Sequence, residues 1–229
     1  MAELVYLDLG RRAYGETLEV QRRLAARVRA EGEELAYLVL VEHDPPVITL
    51  GRGRDRRHVL ATDEDLARLG IEVHSSTRGG DVTYHGPGQL VGYPILRLDC
   101  RGRDVHRYLR DLEEVLIGVL GRFGVEAGRQ EGLTGVWTAQ GKIAAIGIAV
   151  RRWVSYHGFA LNVSCDLSHF RTIIPCGLDD KAVTSLSAIL GRQVALDEVK
   201  APLLECMVEV FGFERARPGA IEECDGARQ

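Results

Sequence analysis

Long apolar runs are missing from this chain of 229 residues. No stretch approaches the roughly 20 consecutive apolar residues that a membrane-spanning helix needs. The N-terminal MAELVYLDLGRR has no basic stretch leading into an apolar core, so no export signal is expected. Cysteine is sparse and scattered, at Cys100, Cys165, Cys176, Cys206 and Cys224. No CxxC pair occurs, which argues against a structural zinc site. Without an export signal, a disulfide framework is not expected either. Charge of one sign is not in excess: 29 basic against 33 acidic residues leave a net charge of −4, which makes no case for nucleic acid. Repeats, long linkers and low-complexity segments are absent. These exclusions leave a reduced, cytoplasmic globular protein, 45% hydrophobic, long enough for one sizeable core.

The periodicities then place the elements. Val5–Leu9 reads as a strand, and Tyr14–Ala30 as a helix with Gly32 placed to end it. Leu35–Val41 is almost wholly apolar and reads as a buried strand; Val47–Leu50 follows the Asp44-Pro45-Pro46 turn. A Gly/Arg loop spans 51–58, and Thr62–Leu69 suits a short helix capped by Thr62 and stopped at Gly70. Apolar residues at spacings of three and four predict a helix over Asp104–Phe123. Gly135–Thr138, Lys142–Val150 and Trp153–Val163 lie close in sequence and suggest a meander. Thr184–Leu190 and Asp197–Phe211 read as helices, the second despite Pro202. Strict βαβα alternation is lacking, so the expected class is α+β with a mixed or antiparallel sheet. The expected organisation is one catalytic domain over residues 1–213 and a flexible polar tail over 214–229.

One stretch asks for more than a fold. Residues 78–94, RGGDVTYHGPGQLVGYP, hold five glycines and two prolines around a lone Arg and a lone His, ahead of an apolar run. A plain turn needs one or two such residues; several glycines let backbone come close to another segment or to a ligand. Cys176 stands between Pro175 and Gly177, on a bend that presents a thiol rather than packing it. Burial in the core is the commonest fate of a free cysteine. Cys206, within an apolar helix, fits that fate well, and Cys100 and Cys165, near strand ends, are expected to share it. Lys142, at the head of an apolar strand, is by composition a solvent-facing strand-end lysine. Beside a thiol, however, its ammonium would favour the thiolate, or the amine would take a proton. Arg78 on its own is an ordinary surface arginine, His85 is equally a structural loop histidine, and Gln89 needs no task beyond a nearby backbone bond.

In order and spacing these segments together resemble the lipoyl(octanoyl) transferase family, the octanoyl-[acyl-carrier-protein]:protein octanoyltransferases. The resemblance runs through Leu38–His43, Val47–Arg52, Arg78-Gly79-Gly80, Thr83–Gln89, Tyr93, Gly135-Val136-Trp137, Lys142–Gly147, His157–Asn162 and Pro175-Cys176-Gly177. Thr77 stands where an Asp often precedes the RGG, and Asp44 lengthens the turn after His43. The resemblance implies a fold like the catalytic domain of biotin and lipoate protein ligases. It implies Cys176 as the acyl-carrying nucleophile and Lys142 as its partner. The acyl-binding segments it implies are Arg78, Gly79, Gly80, Asp81, Val82, Thr83, Tyr84 and His85, then Ala145, Ile146 and Gly147, then Gly158, Phe159 and Ala160. It implies octanoyl transfer from acyl carrier protein to a lysine of lipoyl domains, those of 2-oxoacid dehydrogenase acyltransferase subunits and of the glycine-cleavage carrier protein. Neither ATP nor a metal is then expected as cofactor, nor contact with nucleic acid or membrane, and a monomer is expected. Arg52, Arg54, Arg56 and Arg57 offer a docking loop for acidic carrier domains, or are simply solvated. An ATP-dependent ligase of the same fold and a carrier-binding module without turnover stand as alternatives. Gly51-Arg52-Gly53-Arg54 is similar to a biotin-ligase loop, but position 56 is Arg where that loop has Gly.

Overall fold

The structure, a computed structural model, describes residues 3–31, 35–174 and 182–221. In chain order the elements are β1 (Glu3–Arg12), α1 (Tyr14–Glu31), β2 (Leu35–His43), β3 (Val47–Leu50), α2 (Asp63–Arg68), β4 (Glu72–Ser75), β5 (Val82–His85) and β6 (Gln89–Ile95). They continue as α3 (Val105–Arg122), β7 (Gly128–Gln130), β8 (Leu133–Thr138), β9 (Gly141–Arg151), β10 (Val154–Asn162), α4 (Leu186–Leu190), α5 (Leu196–Phe211) and β11 (Ala216–Pro218). An eight-stranded sheet runs β11-β1-β2-β6-β10-β9-β8-β7, and a three-stranded sheet runs β4-β3-β5. β1 pairs in parallel with both β2 and β11; from β2 to β7 every neighbour is antiparallel. The class is α+β with a mixed sheet, and the predicted meander is β8-β9-β10.

The large sheet is covered on both faces, which explains the unbroken apolar run of β2. Ala36, Leu38 and Leu40 join one core with α3 and α5, through Leu112, Leu116, Leu120, Leu203 and Met207. Tyr37, Val39 and Val41 point the other way and pack with Leu24, Ala25 and Val28 of α1. A third cluster under the small sheet joins Ile48, Leu50, Leu66, Ile71, Val82 and Tyr84. Helix starts follow their caps. Asp104 accepts the Arg107 N–H at 2.9 Å, Thr62 the Asp65 N–H at 3.1 Å, and Ser185 the Ala188 N–H at 3.3 Å. α4 ends where Gly191 takes the left-handed conformation, at φ 63°.

Three differences from the sequence reading have physical causes. β4 and β7 are short strands whose side chains are half-buried or exposed, so they carry no apolar alternation to read. Residues 216–218, assigned above to the flexible tail, form edge strand β11, with Leu4 paired to Ala216 and Tyr6 to Pro218. Cys100, expected in the core, is exposed in a turn over Asp99–Arg101, where its thiol donates to the Arg97 carbonyl; Cys165 and Cys206 are buried. Gly32 and the end of the tail, 222–229, lie outside the described residues.

One buried charge ties α3 to the meander. Glu113 is 1% exposed and is held by Arg110 at 2.6 Å and Arg129 at 3.0 Å. Its other oxygen accepts the Gly135 N–H at 3.1 Å. The two arginines are partly exposed and can re-solvate if the carboxylate goes; the buried Gly135 N–H cannot. Glu113→Leu is therefore expected to lower unfolding stability by about 2–3 kcal/mol, and Glu113→Gln by less, since it still offers an acceptor. Urea midpoints at unchanged slope check this; a wild-type midpoint for Glu113→Leu would contradict it.

Candidate active site

The site begins with a loop stitched to both sheets. Arg78, an ordinary surface arginine when taken alone and an acyl-binding residue by the resemblance, is 8% exposed. Its guanidinium donates to Thr49 Oγ1 at 3.0 Å, the Thr49 carbonyl at 2.6 Å, the Asp81 carbonyl at 2.8 Å and the Gly79 carbonyl at 2.9 Å. Thr49 lies on β3, so these bonds fasten the loop to the small sheet. The Gly79 N–H donates to the Ile148 carbonyl of β9 at 2.7 Å, fastening it to the large one. Between the two sheets lies a cavity of about 380 Å³, within the usual range for small-molecule sites.

The implied acyl-binding segments meet there. Antiparallel pairing sets Ala145 opposite Ala160, Ile146 opposite Phe159, and Gly147 opposite Gly158. All six line the cavity, as do Arg78, Gly79, Gly80, Val82, Thr83, His85 and Lys142. Tyr84 and Asp81 do not. Strand alternation turns Tyr84 to the far face of β5, where its hydroxyl shares a 2.7 Å hydrogen bond with His169. The Asp81 carboxylate pairs with His58. The glycines divide as well. A Cβ on Gly147 would come within 3.0 Å of Arg78 Cδ at the cavity wall. Gly86, Gly88 and Gly92 instead make room for the protein itself. Gly88, at φ +82°, is pressed against the Ser164–Cys165 backbone, while a Cβ on Gly92 would strike the Phe159 ring at 2.2 Å.

Lys142 is half-buried rather than solvent-facing, with Nζ 5.2 Å from the centroid of the Trp137 ring. A Cβ on Gly135 would lie 2.7 Å from Lys142 Cε, so the lysine stem depends on a bare backbone at 135. The Lys142 N–H donates to the Ala182 carbonyl at 2.9 Å, and its own carbonyl accepts from Thr184 N–H at 3.0 Å. Cys176 itself lies outside the described residues. Phe170 and Val183, six residues before it and seven after, both line the cavity.

Two neutral histidines, His85 and His157, line the polar side of the cavity, and the His43 ring packs edge-on against His85. Burial pulls His85 down to about 3, with His43, Arg78 and His157 adding to the shift. Burial likewise pulls His43 and His157 down to about 4. His43 donates from Nδ1 to the Arg12 carbonyl at 3.2 Å, which leaves Nε2 to accept the Tyr93 hydroxyl at 2.7 Å. His157 sits at φ 58°, a strained conformation held by its N–H bond to Gln21 Oε1 at 2.9 Å. Tyr14, Thr49, Tyr93 and Trp137 also line the cavity. Tyr14 and Thr49 gave no sign of this in the sequence, since each looks like an ordinary helix or strand residue. Among the described residues no cluster of three or more His, Cys, Asp or Glu could hold a metal ion, and no helix is long and apolar enough to cross a membrane. Of the arginine loop, Arg56 pairs with Asp63 and Arg57 with Asp55, while Arg52 and Arg54 are exposed.

Three buried histidines that stay neutral set an acid limit on the fold. Unfolded, each titrates near 6.5; folded, each resists protonation down to about 3 or 4. The unfolded state binds more protons over this range, so stability begins to fall as pH drops below about 7.5, falls most steeply below about 6.5, and is nearly independent of these groups above about 7.5. Each adds up to about 1.4 kcal/mol per pH unit. Unfolding free energies at pH 8.5, 7.5 and 5.5 should be level over the first interval and fall over the second. Level values throughout would contradict the neutral assignment.

Comparison with known proteins adds four findings. Residues 13–208 match the lipoyl protein ligase A/B catalytic domain. An octanoyltransferase of Solibacter usitatus (strain Ellin6076) is 53% identical over 213 residues, covering 93% of this chain and 94% of the relative. In fold, the chain is similar to the crystal structure of lipoate-protein ligase A bound with ATP, at a TM-score of 0.75, 18% identity and coverage of 97% of this chain and 92% of that one. It is also similar to the biotin protein ligase from Aquifex aeolicus in complex with biotin and ATP, at a TM-score of 0.54, 13% identity and coverage of 93% and 70%.

Proposed function

This chain belongs to the octanoyltransferases of the lipoyl protein ligase A/B catalytic-domain family and is an acyltransferase; from that premise we propose that it moves octanoyl from acyl carrier protein, through a Cys176 thioester, to a lysine of lipoyl domains. The observation that carries the reading is the meeting of Lys142, His85 and the near flanks of Cys176 at one cavity walled by small residues. Gly147, Gly158, Ala145 and Ala160 suit a slender alkyl chain. At ~0.8 kcal/mol per buried CH₂, an eight-carbon acyl group gains on the order of 5 kcal/mol there, which favours it over very short chains.

The chemistry balances with one amine cycling a proton. The Cys176 thiolate, favoured by the Lys142 ammonium, adds to the thioester carbonyl. The carrier's thiolate leaves and takes a proton from Lys142, and octanoyl-Cys176 remains. A neutral substrate amine then adds to this second thioester. Lys142, now uncharged, accepts a proton from the attacking nitrogen as the Cys176 thiolate departs. The amide is formed and the starting ion pair restored. Thioester to amide is downhill, so no ATP is required.

The ligase alternative shares the fold, so ATP dependence separates the two. Without ATP, incubation with octanoyl-acyl carrier protein should add one octanoyl mass to the chain, mapping to Cys176, and a lipoyl domain should discharge it. Amide formation only on addition of ATP and free acid would contradict the proposal. Cys176→Ser should abolish the adduct. Lys142→Arg, which keeps charge but cannot exchange protons, should lose about 10²–10⁴ of turnover; wild-type turnover would reduce Lys142 to a field effect.

A further inference from the structure

A continuous line of hydrogen bonds joins His85 to the backbone of Lys142. Gln89, at the head of β6, lies directly opposite Asn162, at the end of β10. His85 Nδ1 meets Gln89 Oε1 at 2.8 Å, Gln89 Nε2 donates to Asn162 Oδ1 at 2.8 Å, and Asn162 Nδ2 donates to the Thr184 carbonyl at 3.0 Å. The Thr184 N–H in turn donates to the Lys142 carbonyl at 3.0 Å. All three side chains of the line are buried.

The direction of every bond in the line follows from its far end. A backbone carbonyl only accepts, so Asn162 must turn its NH₂ toward Thr184 and its oxygen toward Gln89. Gln89 must then turn its NH₂ toward Asn162, where it also reaches the Tyr84 carbonyl at 3.3 Å. Only the oxygen of Gln89 is left for His85, and that oxygen requires a proton on Nδ1. In a neutral imidazole the other nitrogen, Nε2, is then a bare acceptor. Among the described residues Nε2 has no hydrogen-bond partner, and His85 lines the cavity that holds Lys142.

Building on the function proposed above, the geometry points to Gln89 and Asn162 as positioning residues that lock His85 in its Nδ1–H tautomer, so that Nε2 accepts an N–H of the attacking amine and aims its lone pair at the acyl carbonyl. His85 orients and does not take the proton. Burial, together with His43, His157 and Arg78 around it, leaves the ring too weak a base to keep one. The proton goes to Lys142, and the octanoyl C–S bond breaks as the C–N bond forms.

Two measurements test this. Nitrogen chemical shifts of the imidazole in ¹⁵N-labelled protein should show His85 protonated on Nδ1 and bare on Nε2 at pH 7; an Nε2–H tautomer or an imidazolium would overturn the assignment. This holds whether or not any substrate reacts, so it stands apart from the proposed function, whose failure would show as no acyl adduct on the wild type. Gln89→Met and Asn162→Leu should shift the tautomer balance. Displacing a reacting group by an ångström costs about 10²-fold, and discharge of octanoyl-enzyme by a lipoyl domain should slow by that order, with acyl-enzyme formation less affected. Equal slowing of both steps, or unchanged discharge in either folded variant, would overturn the positioning role.

Discussion

The site depends on the clamp that Arg78 places between two sheets. A buried guanidinium costs several kcal/mol to desolvate unless its donors are satisfied. Here they are directed at three backbone carbonyls and a threonine hydroxyl, an arrangement that the planar fork of arginine makes possible and the point charge of lysine does not. Through Thr49 the clamp holds β3, and through Gly79 and Ile148 it holds β9. The space left between those attachments is the cavity. The same positive charge helps keep His85 and His157 neutral, so the clamp contributes to both shape and electrostatics.

Shape and chemistry are divided between the strands. β9 and β10 supply small residues in register, so that the wall is thin where Gly147 faces Gly158. The ends of β5, β6 and β10 supply polar groups: His85, Gln89 and Asn162. Lys142 stands near the start of β9, its backbone paired to Ala182 and Thr184 on the C-terminal side of the Cys176 segment. Lipoate-protein ligase A shares this fold at 18% identity, so the architecture alone does not select the reaction.

Much of the fold was legible because burial leaves periodic marks. α3 repeats apolar residues on one face, β2 is apolar throughout because both of its faces are covered, and Thr62 and Asp104 announce their helices. β4, β7 and β11 left no such mark, being short and poorly buried. The site was legible as a set of segments and not as an arrangement. Arg78, His85 and Lys142 each looked ordinary alone, since burial and partners come from distant strands. Tyr84 follows Thr83 in the same segment yet faces away, because a strand turns alternate side chains to opposite sides. The link from Gln89 to Asn162 spans 73 positions and exists only because β6 pairs with β10.

The central claim is that an acyl chain occupies the space between the Arg78 loop and the Gly147–Gly158 wall. A crystal structure of the protein after reaction with octanoyl-acyl carrier protein tests it most directly. The account predicts eight carbons running from the sulfur of Cys176 into that space, with Lys142 and His85 beside the carbonyl. Density for the chain on another surface, or an acylated residue outside this cavity, would contradict it.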